Sequence, residues 1–191
     1  PEHANLAKPL LLAERNVERC DTIISDLLDF SRQRRIEKTP ILIDDWMTDF
    51  LEEMDTLKDV QMEKDLSTNS VVPVDPERLR RALVNVITNA VQALDEVDKP
   101  DKKLLVRTRL FDETCEIIVH DNGPGMSQDV IKRISEPMIS TKNFGVGLGV
   151  PIIKNIIEGH SGGVEYTSEV GEGTTVIMRL PLTEMTSGKE A

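Results

Sequence analysis

The hydrophobic pattern of this chain changes period at the charged tract of residues 32–38 and Pro40, and that change divides it into two unlike parts. Before it, Val17, Cys20, Ile24, Leu27 and Ser31 recur at spacings of three and four, and Ile23, Leu28 and Phe30 widen the stripe. Leu6, Leu10 and Ala13 extend it upstream, although Pro9 disfavours a regular opening turn. One helix over the first ~35 residues is predicted. A helix with so broad an apolar face cannot stand alone in water; packing on another helix, in a hairpin or a dimer, is favoured over packing on its own domain, because the charged tract with Pro40 then serves as a hinge.

After the hinge the pattern becomes mixed α and β. Residues 41–43, 60–66 and 71–74 are short strand candidates, and residues 46–57 read as a helix capped by Asp44 or Asp45. Asp75-Pro76 supplies an N-cap followed by proline in the first turn, a start signal for a helix to about Leu94. Its core side is Leu79, Ala82 or Leu83, Val86, Ala90 and Ala93 or Leu94. Residues 104–110 and 116–120 form a hairpin around a turn at 111–114, and residues 127–134 a short helix. Residues 136–149 carry glycines and little periodicity, as a loop does. A helix over 151–158 ends at Gly159, and strands 163–168 and 174–180 flank the turn Gly171-Glu172-Gly173. The polar tail after Pro181 reads as frayed.

Composition removes several classes of function. The chain has 191 residues, with 34 Asp+Glu against 23 Lys+Arg and a net charge of −11. Such acidity argues against general nucleic-acid binding, which needs clustered cations facing phosphates, but leaves room for a nucleotide site built from backbone N–H groups, a metal ion and a lysine. The longest stretch without a charged residue, 82–94, is 13 residues, well short of the ~20 needed for a membrane span. Cys20 and Cys115 lack metal-ligand spacing and read as buried thiols in a reducing, cytoplasmic compartment. No signal peptide opens the chain, and its start at Pro1 reads as a piece of a longer protein.

Four segments carry chemistry. In Asn85-Val-Ile-Thr-Asn89, two amides four residues apart project from one helix face, where their carbonyl oxygens can coordinate a hard cation such as Mg²⁺. In His120-Asp121-Asn122-Gly123-Pro124-Gly125, a carboxylate at a strand end can accept a hydrogen bond from an exocyclic amine, and the glycines let backbone approach a flat ring. In Lys142-Asn143-Phe144-Gly145-Val146-Gly147-Leu148-Gly149-Val150-Pro151, alternate glycines lead into a helix whose free N–H groups attract phosphate oxygens, and Lys142 adds a point charge. The spacing is neither that of a Walker loop nor that of a dinucleotide fold. Gly171-Glu172-Gly173-Thr174-Thr175, by itself, is a hairpin turn.

In this order, the four segments resemble the asparagine box and three glycine boxes of sensor histidine kinases, members of the ATPase superfamily that includes Hsp90, DNA gyrase B and MutL. Residues 136–142 resemble the family's phenylalanine box, with Met138 where an aromatic usually stands, and residues 23–32 resemble the end of the second helix of the kinase dimerisation domain. The resemblance implies an α+β fold, an α/β sandwich with three helices on one face of a mixed sheet, preceded by one long helix. It divides the chain into a partial dimerisation domain (1–38), a catalytic ATP-binding domain (39–183) and a tail (184–191). It implies ATP and Mg²⁺ as cofactors, with Asn89 a metal ligand and Asn85 a second ligand or a positioner. Asp121 would bind the adenine amino group above Gly123 and Gly125. Lys142, Gly145, Gly147 and Gly149 would form the lid over the phosphates, and Thr174 or Thr175 would add a polar contact near adenine through water. The implied partners are a response-regulator receiver domain, docked near residues 27–35, and a second copy through the helical domain.

Such kinases phosphorylate a histidine on the first helix of the dimerisation domain. The chain has three histidines. His120 and His160 sit in core-forming segments and read as structural. His3 lacks the acidic neighbour of the family's acceptor, and the stretch from it to Leu27 is consumed by a single helix. The acceptor is therefore expected outside this chain, which should bind Mg·ATP without autophosphorylating. The competing readings are a clamp-type ATPase of the same superfamily, where a glutamate base is expected at Asn85, and a nucleotide-sensing scaffold without kinase activity.

Overall fold

The computed structural model describes residues 36–54, 57, 60–134, 136 and 147–183, together with two exposed helical positions, Leu10 and Val17. The rest of the expected first helix, the 137–146 loop with Lys142 and Gly145, Cys20 and His3 lie outside the described residues.

Strand β1 (Thr39–Leu42) pairs antiparallel with β3 (Val71–Val74) in a small sheet of its own. Between them run helix α1 (Ile43–Glu52) and β2 (Gln61–Leu66). Helix α2 (Pro76–Asp95), hairpin β4 (Lys103–Phe111) and β5 (Thr114–Asp121), the short α3 (Gln128–Arg133), α4 (Gly149–Gly159), β6 (Gly163–Glu169) and β7 (Gly173–Pro181) follow. The main sheet has the order β2-β4-β5-β7-β6, with β2 parallel to β4 and the other pairs antiparallel.

Alternation on the strands decides which sheet face the helices cover. Leu104 and Val106 of β4, Cys115, Ile117 and Val119 of β5, and Val176, Met178 and Leu180 of β7 point to one side and are buried. Against them pack Ile43, Met47 and Phe50 of α1, Leu79, Leu83 and Ile87 of α2, and Ile153 and Ile157 of α4, in one continuous core. Each fully buried aliphatic side chain of this kind contributes about 1.5–3 kcal/mol by leaving water. Cys115 is buried as expected. On the opposite face of β5, Glu116 is also buried, held by Arg109 Nε and Arg179 Nε, the latter at 2.7 Å. Burial pushes its carboxyl up, but the two guanidinium bonds outweigh this and leave it below the ordinary carboxylate value.

Asp75 caps α2 as read, its Oδ1 accepting the Arg78 N–H at 3.2 Å, with Pro76 next. Helix α1 departs from expectation. It begins at Ile43 with no side-chain cap, and Asp44 lies inside its first turn. The Asp44 carboxylate instead turns inward, accepting from Asn69 N (2.6 Å), Thr108 Oγ1 (2.6 Å) and Thr68 Oγ1 (3.1 Å). A buried carboxylate needs such donors, and the helix N-terminus adds favourable dipole charge. Helix α4 starts at Gly149, earlier than the proline suggested. Among the described residues, no helix is long and apolar enough to cross a membrane.

Candidate functional site

Helix α2 forms the floor of the site because its polar positions fall on one edge while Leu79, Leu83, Val86 and Ile87 face the core. Asn85 and Asn89 are both half-buried on that edge. The Asn85 Nδ2 donates to the Arg81 carbonyl at 3.0 Å, which orients the amide. A methyl group built on Gly149, the first residue of α4, would lie 3.2 Å from Asn85 Oδ1 and 3.6 Å from Asn89 Nδ2. The asparagine pair therefore faces the start of the glycine-led helix directly. The N–H groups of Gly149 and Val150 have no acceptor within the helix, and Pro151 has no N–H, so this end turns donors that the helix does not use, and partial positive charge, outward. Gly147 just before it has φ +72, a conformation that excludes most side chains.

One further turn along α2, Ala93 backs the Gly123 segment. A methyl on Gly123 would meet Ala93 Cβ at 3.2 Å and Asp121 Oδ1 at 2.7 Å. Asp121, the last residue of β5, is buried, and its Oδ1 accepts the Gly123 N–H at 2.9 Å. From Asn85 to Ala93 is about 12 Å along the helix axis at 1.5 Å per residue, room to lay out a base, a sugar and phosphates in line.

The hairpin β6–β7 seals the Asp121 end. Gly125 (φ +65) approaches the Glu169 carbonyl so closely that a methyl would stand 1.9 Å from it, and a methyl on Gly173 (φ +119) would stand 1.9 Å from the Asp121 carbonyl. Ser168 Oγ accepts the Met126 N–H (2.8 Å), donates to the Gly173 carbonyl (2.7 Å) and lies 2.9 Å from Thr174 Oγ1. Thr174 pairs with Asp121 across the ladder and shares its face, whereas Thr175 pairs with His120 on the opposite face, where its Oγ1 lies 2.9 Å from His120 Nδ1.

A family model described as "Histidine kinase-, DNA gyrase B-, and HSP90-like ATPase" matches residues 74–184. The chain belongs to this family. Sporulation kinase E of Bacillus subtilis is 32% identical over 175 residues, covering 87% of this chain and 23% of that protein. Signal transduction histidine-protein kinase AtoS of Escherichia coli is 27% identical over 186 residues, covering 88% of this chain and 28% of that protein. The chain spans less than half the length of these curated relatives. Two solved structures share its fold: the Acinetobacter baumannii histidine kinase AdeS (TM-score 0.74, 22% identity, 94% of this chain and 85% of that one) and full-length ShkA in complex with AMPPNP (TM-score 0.76, 23% identity, 91% and 38%). The chain is the ATP-binding catalytic region of a sensor histidine kinase.

In this histidine kinase region the segments read from sequence converge: Asn85, Asn89, Gly147 and Gly149 lie at one end, and Asp121, Gly123, Gly125 and Thr174 at the other. Thr175 is turned away from them. Sequence reasoning missed Ser168, which holds the Gly123–Gly125 and Gly171–Gly173 segments together. A lone strand serine carries no local signal of such a role. His120 and His160 are engaged in structural bonds, as read.

Proposed function

We propose that this region binds Mg·ATP along α2 and transfers the γ-phosphoryl group to a histidine on a helical domain, for relay to an aspartate of a response-regulator receiver domain. The supporting observation is the placement of Asn85 and Asn89 against Gly149 at one end of α2 and of Asp121 and Gly123 against Ala93 at the other. The nucleotide analogue bound by the fold neighbour ShkA agrees with this reading.

Asp121 accepts the adenine amino group, with Gly123 and Gly125 leaving space beneath the ring and Thr174 beside it. Lys142 and Gly145 to Gly149 close over the phosphates, whose oxygens meet the N–H groups of Gly149 and Val150. Asn89, with Asn85, holds Mg²⁺. The donors fit, because amide oxygens are hard ligands of the kind Mg²⁺ takes, and they would hold it beside the phosphates. When bound, Mg²⁺ neutralises charge on the phosphate oxygens; the protein's part is positioning and electrostatic stabilisation. Residues 1–38 belong to the dimerisation domain through which two copies associate, 39–183 form the catalytic domain, and 184–191 a tail.

The chain alone does not autophosphorylate: His160 and His120 are committed to internal bonds, and His3 lacks the sequence setting of an acceptor. Mixing the chain with a separately supplied acceptor-helix domain and γ-labelled ATP tests the proposal. Labelled histidine on the added domain is expected. Release of free phosphate alone would point to a clamp ATPase, and neither product to a nucleotide-sensing scaffold.

A further inference from the structure

His160 is the meeting point of three segments. It follows the last turn of α4 and is only 1% exposed. Its Nε2 accepts the N–H of Asp75, the N-cap of α2, at 2.9 Å. That bond requires an unprotonated Nε2, so the proton is on Nδ1, which donates to the Ile156 carbonyl at 2.7 Å. The linker just before β1 grips the same point. Lys38 Nζ donates to the His160 carbonyl (3.2 Å), the Glu37 N–H donates to Asp75 Oδ2 (3.2 Å), and Ile36 Cδ1 lies 2.4 Å from where a methyl on Gly159 would be.

The two helices joined by this imidazole are those that carry the candidate phosphate site. Helix α4 runs back along α2, with Gly149 beside Asn85 and Asn89 and His160 beside Asp75. From Gly149 to His160 is about 16 Å of helix, and from Asp75 to Asn85 about 15 Å, so the pair forms a frame pegged at one end and open to ligand at the other. Ridge-into-groove packing holds the two helices together in one core, and a hydrogen bond to a single N–H adds one fixed point that pins their register to one seat.

We propose that His160 is a positioning residue for nucleotide phosphates: by pegging α4 to the cap of α2 it sets the axial register of the two helices, and with it the spacing between the Gly149 end and the Asn85 and Asn89 amides. The inference rests on the nucleotide site proposed above. Protonation would set an N–H against the Asp75 N–H and break the peg. Burial, foremost, holds the imidazole below its ordinary value; the bond to Ile156 and the Asp75 carboxylate act in the opposite direction, and Lys38 and Arg78 add to the lowering.

The test compares His160→Ala, His160→Gln and His160→Asn in this chain. Mg·ATP affinity is measured by calorimetry at pH 7.5, and adenosine affinity by saturation-transfer NMR. The alanine variant should lose tenfold or more in Mg·ATP affinity and less than threefold for adenosine, whose pocket lies at the other end of α2. Gln keeps an acceptor at the Nε2 position and should stay within threefold of wild type. Asn retains only the donor to Ile156 and should behave like alanine. Mg·ATP affinity of the alanine variant within threefold of wild type, equal losses for both ligands, or Gln and Asn variants that match each other would overturn the proposal; the last comparison decides even if the alanine variant does not fold. Failure of the wild-type chain to bind Mg·ATP would instead remove the nucleotide site itself.

Discussion

Replacing Asp121 by asparagine separates the bond its carboxylate makes to Gly123 from the one proposed to adenine. Oδ1 holds the Gly123 N–H at 2.9 Å, and an asparagine oxygen can keep that bond. The charge is lost, and an amide N–H₂ takes the place of the other oxygen, so a donor would face the donor amine of adenine. A hydrogen bond to a charged group contributes about 1.5–3 kcal/mol. At 1.4 kcal/mol per factor of ten, Asp121→Asn should weaken ATP binding roughly 10- to 150-fold. Asp121→Ala loses both functions. It leaves the buried Gly123 N–H without its acceptor, at a cost of about 1–3 kcal/mol, or roughly 2–12 °C for a chain of this size. Calorimetric titration with ATP, paired with thermal unfolding of both variants, gives the two readouts. Wild-type ATP affinity in Asp121→Asn would refute the reasoning, because the carboxylate would then have no part in reading the base.

Gly173→Ala and Gly171→Ala make a matched pair, since both glycines have positive φ but only Gly173 has backbone 1.9 Å from the added methyl. Both should lower the urea midpoint by backbone strain of order 1–3 kcal/mol, and Gly173→Ala alone should also weaken ATP binding by displacing β5 at Asp121; equal effects would count against the close approach. Glu116 has a folded pKa below its ordinary value, so its stabilisation is present above about pH 4.5 and is lost as pH falls from there toward the folded value. Glu116→Gln should therefore be less stable than wild type at pH 7, by about 1–3 kcal/mol in urea unfolding, with the gap closing below pH 4; a gap independent of pH would be the contrary result. Burial, with smaller contributions from Asp44 and then Glu116, pushes the Cys115 thiol up to about 12. Iodoacetamide at pH 8 should spare Cys115 in peptide maps of the native chain and modify it in denaturant, and native labelling faster than unfolding would contradict the burial.

What was legible in the sequence lay within single elements. Asp75-Pro76 announces α2 because a cap and a pre-set φ act over one turn, and Asn85 with Asn89 declares a shared face because a helix repeats every 3.6 residues. The strands of the two late hairpins show in their alternation. Asp44 was misread for the opposite reason: its donors Thr68, Asn69 and Thr108 are distant in sequence, and no window around residue 44 reveals that its carboxylate turns inward. The pairing of β1 with β3 in a separate sheet, and the choice between Thr174 and Thr175, depend likewise on register with strands far along the chain. The division has a physical cause. Groups that meet a ligand must converge, and the cheapest way to converge two side chains is to place both on one element at its natural period, so the motif is spelled locally. Holding two elements in register requires contacts between them, and those partners, Asp75 with His160 or Gly173 with Asp121, are ordinary residues whose meaning exists only as a pair. A glycine at 173 therefore reads as a turn until Asp121 is brought against it, and a histidine at 160 reads as a helix end until its Nε2 finds the cap of the helix that carries the two asparagines.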